Sequence, residues 1–170
     1  MQPIPNADIL ALIYPISQDG QRVLMQYHER SESHSYQRFN GIESRPRPNE
    51  TLLDACERML RYNHIGHGSI FFRGTIHWSK FHTQRPSLYG HLFTVDIPEE
   101  FEKTYHAHNH IGPIKWISIA ELLQGEWPCW PGDSHIFPLL FDKNPEPFFG
   151  LMGYANGVPH HWNYKRTNKV

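Results

Sequence analysis

Three stretches of this 170-residue chain gather side chains able to do chemistry. His106, His108 and His110 stand two apart, so a strand would carry all three imidazoles on one face, where they can hold Zn²⁺ or Ni²⁺. The ordinary alternative is an exposed polar loop ahead of Pro113. Next, Glu50 and Arg58 frame a run in which Leu52, Leu53, Cys56, Met59, Leu60 and Asn63 recur at three and four, predicting a helix with Asn49 as its N-cap. On that helix Met59, Tyr62 and Asn63 share a face. The third stretch is Trp130-Pro131-Gly132-Asp133, which offers an indole and a carboxylate, or builds a turn that lets Asp133 cap a following helix. His64 and His67 follow the first helix, where cations suit the helix dipole, though they can also face phosphate. His160 and His161 are adjacent on an expected strand and point to opposite faces, so no role is assigned to them. No GxSxG, P-loop, dinucleotide fingerprint or HExxH is present, which removes the common nucleophile-elbow, P-loop, dinucleotide and zinc-protease chemistries.

The elements that must position these residues alternate in type. Asp8 to Ile16 and Val23 to Tyr27 read as strands joined by the turn-forming Gln18-Asp19-Gly20. Glu29 to Gln37 is polar and Ser-rich, an expected exposed loop, and Arg45 to Pro48 carries two prolines that forbid regular structure. Gly68 to Phe81 and Ser87 to Ile97 are rich in β-branched and aromatic residues and are expected to pair as neighbours. Ser118 and Glu121 fit a capping box before Leu122-Leu123, with Gly125 as the stop, and Asp133 to Phe141 reads as a further helix. Phe148 to Tyr154 and Val158 to Tyr164 flank Ala155-Asn156-Gly157, a strong hairpin signal. Mixed strands and helices without repeats predict one α/β domain over residues 1–170, a sandwich around a mixed sheet.

Bulk composition narrows the partners. Sixteen Lys and Arg against 17 Asp and Glu leave almost no net charge, which disfavours binding to duplex nucleic acid through a long-range field. Cys56 and Cys129 form no CxxC or secretory framework, the residues Met1 to Pro5 lack signal-peptide regions, and no stretch matches a membrane span, so a soluble cytoplasmic protein is expected. The 13 histidines and the 14% aromatic content are high, and scattered histidines ordinarily need no special account.

With these elements in order, the chain resembles the Nudix hydrolases. Their motif runs Gly, five residues, Glu, seven residues, Arg-Glu, an aliphatic, any residue, Glu-Glu, any residue, Gly. Glu50 and Arg58 keep that spacing, while Ser44 stands at the first glycine, Met59 at the glutamate after Arg, Tyr62 and Asn63 at the paired glutamates, and Ile65 at the last glycine. Trp130 to Leu140, Phe148-Phe149-Gly150 and Phe39-Asn40-Gly41 resemble segments of the 8-oxo-dGTP diphosphatases within that family. The resemblance implies an α/β/α sandwich, and it implies that Asn40, Trp130 and Asp133 contact a purine. An amide and a carboxyl can meet a base edge while an indole stacks on it. One departure is Gly132, where that subfamily often has an acidic residue. The resemblance also places His110 near a further acidic position beside the metal.

The family's hydrolysis needs Mg²⁺ or Mn²⁺ on carboxylate oxygens. Here the ligand positions hold a thioether, a phenol and an amide, so hydrolysis is expected to be weak or lost. No cofactor is implied outright, and Mg²⁺ or Mn²⁺ enters only where activity is retained. Two expectations follow: a divergent binder of a purine nucleotide or nucleoside diphosphate-linked compound, or a noncatalytic module that uses its aromatic surface for a protein partner.

Overall fold

The computed structural model describes residues 8–33, 35–82, 85–102, 105 and 107–167. In chain order the strands and helices are β1 (Asp8–Ile16), β2 (Arg22–Tyr27), β3 (Phe39–Asn40), β4 (Ile42–Ser44), α1 (Leu52–Tyr62), β5 (Ile70–His82) and β6 (Arg85–Asp96). They continue with α2 (Glu99–Glu102), β7 (Ala107–His108), β8 (Pro113–Ser118), α3 (Ile119–Leu123), α4 (Asp133–Leu140), β9 (Phe148–Ala155) and β10 (Val158–Arg166).

The mixed sheet runs β10-β9-β5-β6-β1-β2-β8-β7, with β3 beside β2 and β4 beside β1. β1 is parallel to β6 along its whole length and β9 is parallel to β5, while the other pairs are antiparallel. Although the Ser17 to Gly20 turn joins β1 to β2, the two strands meet only at Ile16 and Val23 and then diverge. The short strands β3 and β4 occupy that divergence, and they carry Asn40 and the neighbouring Glu43.

The period of two along β1 sorts its side chains between two cores. Leu10, Leu12 and Tyr14 join Val23, Met25, Ile136, Phe137 and Leu140 on one face, beneath α4. Ala11 and Ile13 join Leu24, Cys56, Leu60, Val95 and Ile114 on the other, beneath α1. Helices thus cover both faces of the sheet, the expected α/β/α sandwich. Burial of Ala55, Cys56 and Leu60 gives α1 its inner stripe, while Leu53, expected on that stripe, is exposed.

Three local expectations change. The N-cap of α1 is Thr51, not Asn49: Thr51 Oγ1 accepts from the Asp54 amide and the Asp54 carboxylate accepts from the Thr51 amide. Asn49 instead takes a left-handed backbone, φ 68°, in the turn before it. At α4 the cap position is Gly132 without a side-chain bond, so Asp133 opens the helix rather than capping it. Ser35 is fully buried, whereas most other described residues from Glu29 to Gln37 are exposed as expected. The terminal hairpin forms as expected, with Asn156 and Gly157 both left-handed in a two-residue turn. Among the described residues no helix is long and apolar enough to cross a membrane.

Candidate functional site

Asn40 of β3 and the turn that carries Trp130 and Asp133 are far apart in sequence, yet they line one pocket with Glu43, Tyr14 and Tyr154. Leucines of β1 and β6, together with Trp78 and Ile136, form its apolar walls. The cavity itself measures only about 30 Å³, inside a wider recess of about 480 Å³ of atom-free space that includes open solvent.

A buried hydroxyl links two of the three residues. Ser35 Oγ accepts from the Trp130 indole Nε1 at 3.0 Å and from Asn40 Nδ2 at 3.5 Å. Asn40 also donates to Glu43 Oε1 at 3.2 Å, and its Oδ1 accepts from the Gly41 amide at 2.9 Å. Gly41 lies against the Tyr14 ring, where an added Cβ would come within 2.6 Å of Cζ, so the aromatic-Asn-Gly order seats the tyrosine under the loop. The Arg38 guanidinium lies 4.4 Å from the centre of the Trp130 ring and covers one of its faces.

Asp133 Oδ2 accepts from the Trp130 amide at 3.0 Å, and the Trp130 carbonyl accepts from the Asp133 amide, which closes the turn from Trp130 to Asp133. Burial pushes the Asp133 carboxyl up to about 7, even though that amide and Arg38 pull it down. Burial likewise pushes the neighbouring Cys129 thiol up to about 12. Gly132 has a steric reason to lack a side chain: any Cβ there would collide with Met152 Sδ and the Tyr154 hydroxyl. An acidic residue at that position has no room while Met152 and Tyr154 stay in place.

The surroundings of α1 are of a different chemical kind. Asn63 is buried at the C-cap; its Nδ2 donates to the Met59 carbonyl and its Oδ1 accepts from Asn109 Nδ2 at 3.0 Å. Asn109 Nδ2 also donates to Gln26 Oε1 at 2.7 Å, and Gln26 Nε2 donates to the Gly112 carbonyl at 2.9 Å. Asn109 Oδ1 accepts from the Ile111 and Gly112 amides. The Tyr105 hydroxyl donates to the Asn63 carbonyl at 2.9 Å. Three neutral amides therefore saturate one another where carboxylates would be needed to hold a hard cation.

Magnesium or manganese does not fit this set. Met59 is half-buried, Tyr62 is 57% exposed, and the Asn63 oxygen that looked available is taken by Asn109. Among the described residues no three His, Cys, Asp or Glu side chains are grouped to share a metal. The turn from Asn109 to Gly112 directs Asn109 inward and leaves His110 exposed. His108 is exposed near Glu29, and β7 ends at it, so His110 is not on one strand face with His108; His106 lies outside the described residues.

Glu50 and Arg58 pair with each other. Arg58 Nε and Nη2 donate to the two Glu50 oxygens at 2.7 and 2.9 Å, Nη2 also reaches the Arg45 carbonyl, and Glu50 accepts from the Arg47 amide. The Arg58 bond first and the Arg47 amide second hold the Glu50 carboxyl down at about 2. This clasp ties the loop from Arg45 to Glu50 onto α1. Ser44 is buried under the same helix and donates to the Ala55 carbonyl at 2.8 Å.

No family model matches the sequence, and no curated protein matches it. Solved structures do match its fold. A mutator MutT protein from Bacillus halodurans superposes with a TM-score of 0.66 at 16% identity, covering 92% of this chain and 96% of that one. The NUDIX domain of Shewanella oneidensis NrtR, solved with ADP ribose, matches with 0.61 at 15% identity, covering 82% and 90%. NrtR from the same organism complexed with a 27mer DNA matches with 0.55 at 13% identity, covering 78% of this chain and 59% of that one. With helices on both sides of a mixed sheet and these superpositions over most of its length, the chain has the Nudix fold.

Proposed function

We propose that this chain binds a purine nucleotide or a nucleoside diphosphate-linked compound in the pocket of Asn40, Trp130 and Asp133, and that its metal-dependent pyrophosphate hydrolysis is weak or lost. The observation that supports this reading most is the contrast between two adjoining regions. The pocket combines apolar walls with a few converging polar groups, the usual makeup of a small-molecule site. The region of α1, across the register pair of Gln26 and Asn40, holds neutral amides already bonded to one another. NrtR, whose NUDIX domain was solved with ADP ribose, is precedent for ligand binding on this fold.

The test is a thermal-shift screen of purine and pyrimidine nucleosides and nucleotides and ADP ribose, with pyrophosphate and phosphate release followed in Mg²⁺ and Mn²⁺. A ligand at 100 times its Kd raises the stability of the folded state by about 2.7 kcal/mol. Purine-selective stabilisation that disappears in Asn40→Ala and Asp133→Ala is expected, and brisk metal-dependent turnover would refute the loss of hydrolysis. A second reading, docking of a protein partner, draws support from Phe149 and Leu151 of β9, which are exposed on the sheet face opposite Phe148 and Met152.

A further inference from the structure

Resting on the purine reading above, we infer that Ser35 is a positioning residue: from behind the pocket wall its hydroxyl holds the Trp130 indole as a preset plate for the base, without touching the ligand. The indole needs such a hold. Trp130 lies outside every helix and strand, at the start of the turn that Asp133 closes, and a backbone turn fixes neither of its side-chain torsions. Its ring lines the pocket, whereas Ser35 does not. Ser35 Oγ accepts from the indole Nε1 at 3.0 Å, and the Arg38 guanidinium packs on one ring face, so the ring is fixed at its edge and on a face.

Ser35 is itself held from several sides. The His28 amide donates to the Arg38 carbonyl at 3.0 Å and the Gln37 amide to the His28 carbonyl at 2.8 Å, which closes the loop from His28 to Arg38. Inside that loop the Arg38 amide donates to the Ser35 carbonyl at 2.9 Å, and the Ser35 amide donates to Ser33 Oγ at 3.2 Å. Ser33 Oγ also pairs with Nδ1 of the buried His28 at 2.7 Å. The Phe39 amide donates to the Pro128 carbonyl at 2.7 Å, which ties the end of the loop to the segment leading into Trp130. Because Ser35 is fully buried, bulk water does not compete for the indole proton. A ring fixed before the ligand arrives has already lost the rotamer freedom that binding would otherwise cost. Stacking reads no base edge, so this gain is the same for any purine.

A double-mutant cycle tests this, with GDP and ADP ribose titrated calorimetrically in EDTA into the wild type, Ser35→Ala, Trp130→Phe and the double variant. Phenylalanine keeps a ring and drops the N–H. Ser35→Ala is expected to weaken both probes by the same factor, roughly three- to tenfold, as for one side chain that must be ordered on binding. In the Trp130→Phe background the same change should cost less than about twofold, because the bond it removes is already gone. A loss carried instead through Asn40, whose Nδ2 is 3.5 Å from the same oxygen, would persist there. An equal loss in both backgrounds, or none in either, overturns the inference and leaves the purine reading standing. The ligand-free protein gives a second readout. In ¹⁵N spectra of the wild type, the indole proton whose resonance vanishes in Trp130→Phe should be protected from exchange with heavy water, and Ser35→Ala should remove that protection. An unprotected indole in the wild type overturns the inference even where Ser35→Ala does not fold. If neither probe binds the wild type at millimolar concentration, this inference and the purine reading both fall.

Discussion

Asp133→Asn should flatten the fall of stability with rising pH. In the folded chain burial lifts this carboxyl from 3.8 to about 7, and the side chain is only 9% exposed. Between those two values the folded state holds a proton that the unfolded state has released. Stability therefore decreases as pH rises through that window, and the full cost is present above the folded value. Three units at about 1.4 kcal/mol each give a cost on the order of 4 kcal/mol. Asparagine removes the titration, and its carbonyl oxygen can still accept from the Trp130 amide. Urea denaturation at half-unit steps from pH 4.5 to 8 should show the variant gaining on wild type by a few kcal/mol across the range. Glu50 does not blur the comparison, because its own transition lies lower, between about 2 and 4.5. Parallel curves for the two proteins would refute the claim that Asp133 is neutralised by burial.

Other perturbations have equally definite outcomes. Asn109→Ala removes the donor to Asn63 and Gln26 and the acceptor for two backbone amides, so denaturation should show a loss of about 1–3 kcal/mol or more. Asn63→Glu places a carboxylate at the C-cap of α1, in a buried environment of neutral amides. It should lower stability in denaturation and give no Mg²⁺ heat in calorimetry. Leu60→Ala should cost about 2–5 kcal/mol, since the side chain is fully buried between α1 and the sheet. Glu50→Gln loosens the clasp, so limited proteolysis should cut the segment from Arg45 to Glu50 faster, with no change in response to Mg²⁺.

The sequence made legible whatever depends on local pattern. The α1 stripe, the β5 and β6 pair, the Asn-Gly hairpin and the Ser118 cap all follow from periods and turn chemistry within a few residues. The cap of α1 is not legible to the residue, because Asn49 and Thr51 are both good cap formers and only the Thr51 and Asp54 exchange decides between them. The bringing together of Asn40, Trp130 and Asp133 followed from resemblance, not from spacing. What remained hidden was set by tertiary contact. Ser35 lies in a polar loop and carries no pattern that marks it as buried between Asn40 and Trp130. Asn109 sat inside a histidine run that drew attention to the imidazoles, and only the turn back to Gly112 shows that the amide points inward. Tyr14 lies in a predicted strand and Glu43 outside every predicted element, and both reach the pocket through the divergence of β1 from β2.

That divergence also governs the order in which the chain can fold. The first two strands, neighbours in sequence, share one register pair, whereas Asp8 finds Leu88 roughly eighty positions later. The main pairing of β1 thus waits for closure of a long loop, which places folding among the slower topologies. Leu10, Leu12, Leu88 and Leu92 meet only in that late step, so the wall of the pocket is among the last surfaces to form. Intermediates that lack the β1 and β6 ladder should then be blind to the ligand, and ligand added during refolding should slow unfolding without speeding the rate-limiting closure.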